Sequence, residues 1–194
     1  LILPRTEEGP LLLKTNDLPV HEGHHGGVRS IRPKGGMAMV FTTCPGTVWA
    51  GSGVNEAGLA MGGSSCAAKV PRPPEVLSPH LVIRKVLAEA TTVKEAVAIL
   101  KEMPVTPWGL NLALVDRHEN AAILEKAGAL QGERVSRGEP IFCANHALTP
   151  ELGPFREMTT GQLQESEERF AAMQCLTEAG SMDSQMAKRV AAYA

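Results

Sequence analysis

Gly53-Val54-Asn55-Glu56-Ala57-Gly58-Leu59-Ala60-Met61-Gly62-Gly63 sets a tight turn, Asn55 to Gly58, between two extended pieces of chain. Asn and Gly tolerate the left-handed backbone that such a turn requires. The small residues around it let backbone approach backbone, or a ligand, closely. Just upstream, Met37 to Thr43 (MAMVFTT) is predicted as a strand, Cys44-Pro45-Gly46 as a turn, and Val48-Trp49-Ala50 as a short third strand. Residues 19 to 36, rich in Pro, Gly and His, are predicted as a loop. Before them, Leu11 to Asp17 is a strand candidate that follows a Glu8-Gly9-Pro10 turn.

Downstream, Pro71 to Pro74 is a rigid linker. Ser78-Pro79 then has the form of an N-cap followed by proline at the first helical position, and Leu81, Val82, Val86 and Leu87 fall near helical spacing. A second helix is predicted from Thr92, where Thr92-Val93-Lys94-Glu95 matches a capping box. Its apolar stripe is Val93, Ala96, Val97 and Leu100, and Pro104 stops it. After Gly109 the apolar period changes to two: Leu110, Leu112 and Leu114 alternate up to Asp116, and Ala121 to Glu125 returns as a strand. Arg134-Val135-Ser136 and Ile141 to Ala144 are predicted as further strands of an antiparallel meander. From Gln162 the chain reads as helix, with Leu163, Phe170, Met173 and Leu176 as its buried face. Strands grouped apart from helices predict an α+β domain. The phosphate loops of the common nucleotide-binding folds are absent.

A chain of 194 residues fits one domain. It is long enough to bury a core without a metal or disulfide staple. Nineteen basic against twenty-one acidic residues leave a net charge of -2, which argues against nucleic acid or an anionic membrane as partner. The apolar runs are too short to span a bilayer. Cys44, Cys66, Cys143 and Cys175 are far apart and form no Cys-x-x-Cys pair, which suits free thiols in a reducing compartment. With no visible signal peptide, a cytoplasmic location is expected. The chain begins Leu1-Ile2-Leu3-Pro4 and ends Ala191-Ala192-Tyr193-Ala194 on what reads as a running helix, so the expectation is a domain cut at both ends. No cofactor is predicted, and a homo-oligomer is compatible with the sequence.

Four polar features stand beside strand ends or small-residue turns: Asp17, the Asn55-Glu56 pair, Asn145-His146, and Arg169. Each has a structural reading. Asp17 can start an Asx-turn, Asn55 can hold a left-handed turn position, Asn145-His146 can cap a loop, and Arg169 can sit on a solvated helix face. In order, however, they form a pattern. Asn55-Glu56-Ala57-Gly58-Leu59 resembles the Asn-Glu-x-Gly-Leu signature of the choloylglycine hydrolase and acyl-coenzyme A:6-aminopenicillanic acid acyltransferase families of N-terminal-nucleophile (Ntn) hydrolases. The stretch Cys143-Ala144-Asn145-His146-Ala147-Leu148-Thr149-Pro150-Glu151-Leu152 is more similar to the acyltransferase branch, as are the helical stretch His80 to Met103 and the strand pair Leu110 to Lys126.

The resemblance implies a four-layer αββα sandwich with antiparallel sheets. It also implies an amide hydrolase or acyltransferase that acts on a small N-acyl, amide or thioester substrate. The nucleophile would be a Cys at the start of the processed chain, just upstream of Leu1. A free α-amine titrates at about 7.7–8.0, so it can serve as base for its own side chain. By the same resemblance Asp17 would orient that amine, and Asn145 would donate to the oxyanion or fix the nucleophile. Arg169 would support the charge network. Lys14 stands where bile-salt hydrolases carry Arg. Ser64 or Ser65 stands where the family often places an oxyanion-hole Asn. Lys14, Ser64, Ser65, Trp49 and His146 are therefore the substrate-binding candidates, with Trp108 a second aromatic wall candidate. A non-catalytic relative that keeps the fold as a binding protein, or an enzyme of choloylglycine or penicillin V hydrolase type, are the alternatives. Two rival sites follow from composition alone: a metal cluster at His21, Glu22, His24 and His25, and a Cys143–His146 pair.

Overall fold

The computed structural model describes residues 1–15, 26–178, 185–187 and 189. Its centre is a seven-stranded antiparallel sheet in which every strand pairs with its sequence neighbour. Two short strands, β1 (Ile2–Leu3) and β2 (Leu11–Leu12), form a separate antiparallel pair. The large sheet runs β3 (Gly27–Ile31), β4 (Met39–Thr43), β5 (Ser52–Asn55), β6 (Ala60–Lys69), β7 (Trp108–Val115), β8 (Ala121–Ala127) and β9 (Leu130–Val135). Helices α1 (Pro79–Glu89) and α2 (Val93–Glu102) interrupt the meander between β6 and β7, and α3 (Thr160–Glu178) follows it.

The period-two pattern of β7 sorts its residues between two environments. Leu110, Leu112 and Leu114 join Val82, Ile83, Val86 and Leu87 of α1 and Val93, Ala96, Val97 and Leu100 of α2 in the main core. Each such aliphatic side chain gains roughly 1.5–3 kcal/mol on burial, so this stripe is what holds the helices to the sheet. Ala113 and Val115 lie instead with Ile2, Leu12, Ile123, Ile141 and Cys143. The small residues of β5 and β6 allow the close approach: a Cβ on Gly63 would come 3.1 Å from Ile83 Cδ1, and one on Gly53 would meet Val40 O at 2.5 Å.

The two sheet turns also anchor the helices. Asn55 is buried; its Nδ2 donates to Ala90 O at 2.7 Å and Leu87 O at 3.0 Å, while its Oδ1 accepts from Leu59 N at 3.0 Å. The turn that carries the Asn-Glu-x-Gly-Leu signature is thereby tied to the last turn of α1, with Gly58 supplying a φ of +85°. Asp116, at the end of β7, accepts from Val93 N at 2.9 Å and so caps α2 from outside its own segment. Thr92 caps the same helix by accepting from Glu95 N at 3.3 Å.

Several expectations are corrected. Residues 27–31, expected in a loop, form strand β3; its Gly, His and Pro surroundings dominate the local composition, but Gly27 to Ile31 pairs in register with Thr43 to Met39. The strand after the Cys44 turn starts at Ser52, not at Val48, and Trp49 lies outside it. Of the strand expected at 141–144 one bridge remains, Ile141 to Ile2, because side chains and not a neighbouring strand hold the backbone beyond it. On α3, Leu176 is exposed and Leu163, Phe170 and Met173 are half-buried; the buried residue is Ser166. Among the described residues α1 and α2 pack on the seven-stranded sheet, a two-stranded sheet lies beside β6 and β7, and α3 bonds to residues 145 and 146. No helix among the described residues is long and apolar enough to cross a membrane.

Candidate active site

Residues 142–149 cross the sheet side that carries Asn111 and Glu125, away from α1 and α2. Asn111 and Glu125 are opposite one another on β7 and β8, one step out of phase with the core leucines. Asn111 Nδ2 donates to Ala144 O at 2.8 Å, and its Oδ1 is buried with no hydrogen-bond partner among the described residues.

Asn145 lies at the centre of a polar chain. Its Nδ2 donates to Ser65 Oγ at 2.9 Å and to Ser65 O at 3.2 Å. Its Oδ1 accepts from Arg169 Nη2 at 3.0 Å, and its backbone N–H donates to Ser166 Oγ at 2.8 Å. An amide held at both ends and through its backbone has its orientation set before any ligand arrives. His146 is buried, with Nδ1 2.8 Å from the same Ser166 Oγ and its ring edge-on to Phe170 at 5.6 Å. Burial holds the imidazole pKa below its usual value, which favours the neutral ring. A neutral ring can accept the Ser166 hydroxyl proton at Nδ1, leaving the serine oxygen to accept from Asn145 N–H.

Burial raises the pKa of the Cys143 thiol. The Leu1 backbone nitrogen donates to Leu13 O at 3.2 Å, and Cys143 packs on the cluster that holds Ile2. Lys14 reaches over Gly62: a Cβ there would come 3.7 Å from Lys14 Cδ and 3.2 Å from Leu12 Cδ2. Desolvation lowers the Lys14 ammonium pKa. Cys66 is fully buried and its thiol is pushed up to about 12 by desolvation and by the nearby Glu125 carboxylate.

The sequence candidates divide accordingly. Asn145, Arg169 and Ser65 are joined by direct hydrogen bonds, and His146 joins them through Ser166. Ser64 lies on β6 opposite Asn111 of β7. Trp49 stands apart, stacked at 4.7 Å on His80 of α1. Trp108 is half-exposed and carries Lys69 Nζ 4.6 Å above its ring. Asp17, Glu22, His21, His24 and His25 lie outside the described residues. Among the described residues no group of His, Cys, Asp and Glu could hold a metal ion. The Cys143–His146 pairing is not what these side chains make, since the His146 Nδ1 partner is Ser166. Ser166, Asn111, Glu125 and Arg134 were not singled out from the sequence. A polar residue inside an alternating apolar strand, as at Asn111 and Glu125, was the available signal for two of them. Nothing marks Ser166 on an otherwise polar helix.

The family model described as acyl-coenzyme A:6-aminopenicillanic acid acyl-transferase matches residues 5–191. The chain belongs to this family. No curated protein matches the chain in sequence. Among solved structures, an N-acylethanolamine-hydrolyzing acid amidase ortholog from Caenorhabditis elegans is similar over 97% of this chain and 83% of its own, at 14% identity and a TM-score of 0.63. That likeness shows a shared fold. Penicillin V acylase from Agrobacterium tumefaciens matches 52% of this chain and 33% of its own, at 26% identity and a TM-score of 0.44. A variant of conjugated bile acid hydrolase from Clostridium perfringens matches 52% and 36%, at 15% identity and a TM-score of 0.42. The chain therefore spans about a third of the length of these last two proteins.

Proposed function

We propose that this member of the acyltransferase family is an Ntn-type amide hydrolase or acyltransferase, with a cysteine nucleophile preceding Leu1 and a small N-acyl or amide substrate. The observation that carries the reading is the fixing of Asn145 between Arg169 and Ser65, on a segment whose Ile141 bridges Ile2 of β1 and whose Cys143 packs on the same cluster. Family membership and the fold shared with the acid amidase support the same reading. In it, β1 and β2 begin the second sheet of a four-layer αββα sandwich, and residues 1–194 belong to a single domain.

The chemistry follows from the residues. The cysteine thiol gives its proton to its own α-amine, and the thiolate attacks the substrate carbonyl carbon. The carbonyl π electrons move to oxygen, and the resulting oxyanion needs neutral donors placed in advance. Asn145 Nδ2 offers one hydrogen when Ser65 Oγ gives way, while Arg169 holds the carbonyl end of the same amide and so keeps the nitrogen end forward. Collapse of the intermediate breaks the C–N bond, and the amine leaves with the proton stored on the α-amine. Water or a second amine then takes the acyl group from the thioester. Asp17 orients the α-amine in this scheme. Lys14, which reaches over Gly62 beside Leu12, contacts the substrate in this scheme.

The test uses the full-length protein, with N-terminal sequencing and intact mass of the active preparation. The expected mature chain begins with Cys and loses turnover on alkylation. A mature chain beginning at Leu1, whose turnover iodoacetamide leaves unchanged, overturns the proposal.

A further inference from the structure

Residues 142–149 have no regular secondary structure, yet six of their backbone polar groups are bonded by five side chains from elsewhere in the chain. Arg134 Nη1 and Nη2, on β9, both donate to Phe142 O at 3.1 Å. Asn111 holds Ala144 O, Ser166 holds Asn145 N, and Arg156 Nη2 donates to Ala147 O at 3.2 Å. At the far end Glu125 accepts from Leu148 N at 2.9 Å, Thr149 N at 2.8 Å and Thr149 Oγ1 at 2.8 Å. Glu125 and Arg134 are themselves an ion pair, with Nε 3.3 Å from Oε1, and the Glu125 side chain is wholly buried.

A carboxylate buried inside a β-strand costs several kcal/mol in desolvation, and buried ion pairs are poor contributors to net stability compared with aliphatic residues of similar volume. The same-face neighbours of Glu125 on β8 are Ile123 and Ala127, so an apolar residue would be in keeping with this face of the strand. What the charged pair does that an apolar pair cannot is hold backbone groups at two places. Arg134 takes the carbonyl three residues before Asn145, and Glu125 takes the N–H groups three and four residues after it.

We infer that Glu125 and Arg134 are a positioning pair for Asn145, clamping the 142–149 segment at both ends so that the Asn145 amide stands in register with Ser65 and Arg169. The clamp is a geometric statement, and its consequence for turnover rests on the proposed function. Neither residue touches the reacting atoms. A displacement of about 1 Å at a reacting group can cost on the order of 100-fold in rate, which sets the size of effect to look for.

The experiment compares wild type, Glu125→Gln and Arg134→Lys in the full-length protein. Glu125→Gln keeps the shape of the side chain and turns one acceptor into a donor facing the Leu148 and Thr149 amides. Arg134→Lys keeps the charge opposite Glu125 and loses the paired bonds to Phe142. The first readout is the side-chain amide signal of Asn145 in a 15N-labelled sample, assigned by its loss in Asn145→Ala. It should move in either folded variant. The second is turnover of an amide substrate: kcat should fall by on the order of 100-fold with KM changed by about twofold or less. An Asn145 amide signal at its wild-type position in a folded variant overturns the clamp. If wild type turns over no amide, the proposed function falls while the amide signal still decides the clamp. Where Glu125→Gln does not fold, Arg134→Lys decides it.

Discussion

Arg169 Nη2 donates to Asn145 Oδ1 at 3.0 Å across 24 residues of sequence. The bond joins a helix to an irregular segment and fixes which end of the Asn145 amide is a donor. Arg169→Met should remove the constraint while leaving a half-buried, largely apolar side chain on α3. Loss of a hydrogen bond to a charged group, worth about 1.5–3 kcal/mol, corresponds to a fall in kcat/KM of roughly 10- to 100-fold. Steady-state kinetics on a fluorogenic amide checks this. Asn145→Ala should fall at least as far, and retained turnover there would remove Asn145 from the oxyanion role.

Asn55 should behave in the opposite way. Its side chain pairs two carbonyls at the end of α1 and one N–H of its own turn, all in the interior. Asn55→Ala leaves these unpaired and should cost about 3 kcal/mol in stability. For a chain of this length that is a fall of roughly 10 °C in Tm. Calorimetry is the check. The folded fraction should keep its kcat, because the signature residue acts here on the helix.

The four thiols should separate by accessibility. Cys44 and Cys175 are exposed, whereas Cys66 is buried with its thiol pushed up to about 12. At pH 8 a maleimide should label Cys44 and Cys175 in the native protein and reach Cys66 after unfolding, as read by intact mass. Linkage gives a second expectation. The folded Cys66 pKa lies above its ordinary 9.0, so the unfolded chain loses the proton first. The stability is present below pH 9 and declines as pH rises from 9 towards 12. Cys66→Ala should flatten that decline.

Acid should act through His146. Burial depresses its pKa below 6.5, so the unfolded imidazole takes up a proton more readily than the folded one. The contribution to stability is present above 6.5 and is lost as pH falls through the folded value. Urea midpoints between pH 7.5 and 5 should fall in wild type and fall less in His146→Gln. The same titration should disturb Asn145, because Ser166 serves both residues.

Much of the architecture was legible in the chain. The change from period 3.6 to period 2 after Gly109 located α2 and the β7–β8 pair, since an alternating strand and an amphipathic helix must each turn one apolar face inward. The Thr92 capping box and the Asn55–Gly58 turn were legible because their bonding partners lie within a few residues. Strand β3 was hidden by its Gly- and His-rich flank. The segment 141–144 looked like a strand because Ile141, Phe142 and Cys143 are apolar in a row. Its backbone is satisfied by Arg134 and Asn111 instead, and no local pattern reports a partner that arrives from another strand.

The division at the site has the same cause. The sequence by itself determined the family, the meander and the helix pair, and it pointed to Asn145 and Arg169 through the order of their motifs. Only the tertiary structure decided that Asn145, Ser65 and Arg169 share one hydrogen-bonded chain, that Asn55 serves α1, and that Glu125 and Arg134 hold the segment between them. Propensity and periodicity arise from contacts between near neighbours along the chain. A buried polar group takes whichever partner the packed fold brings within 3 Å, and that pairing is set by packing across the sheet.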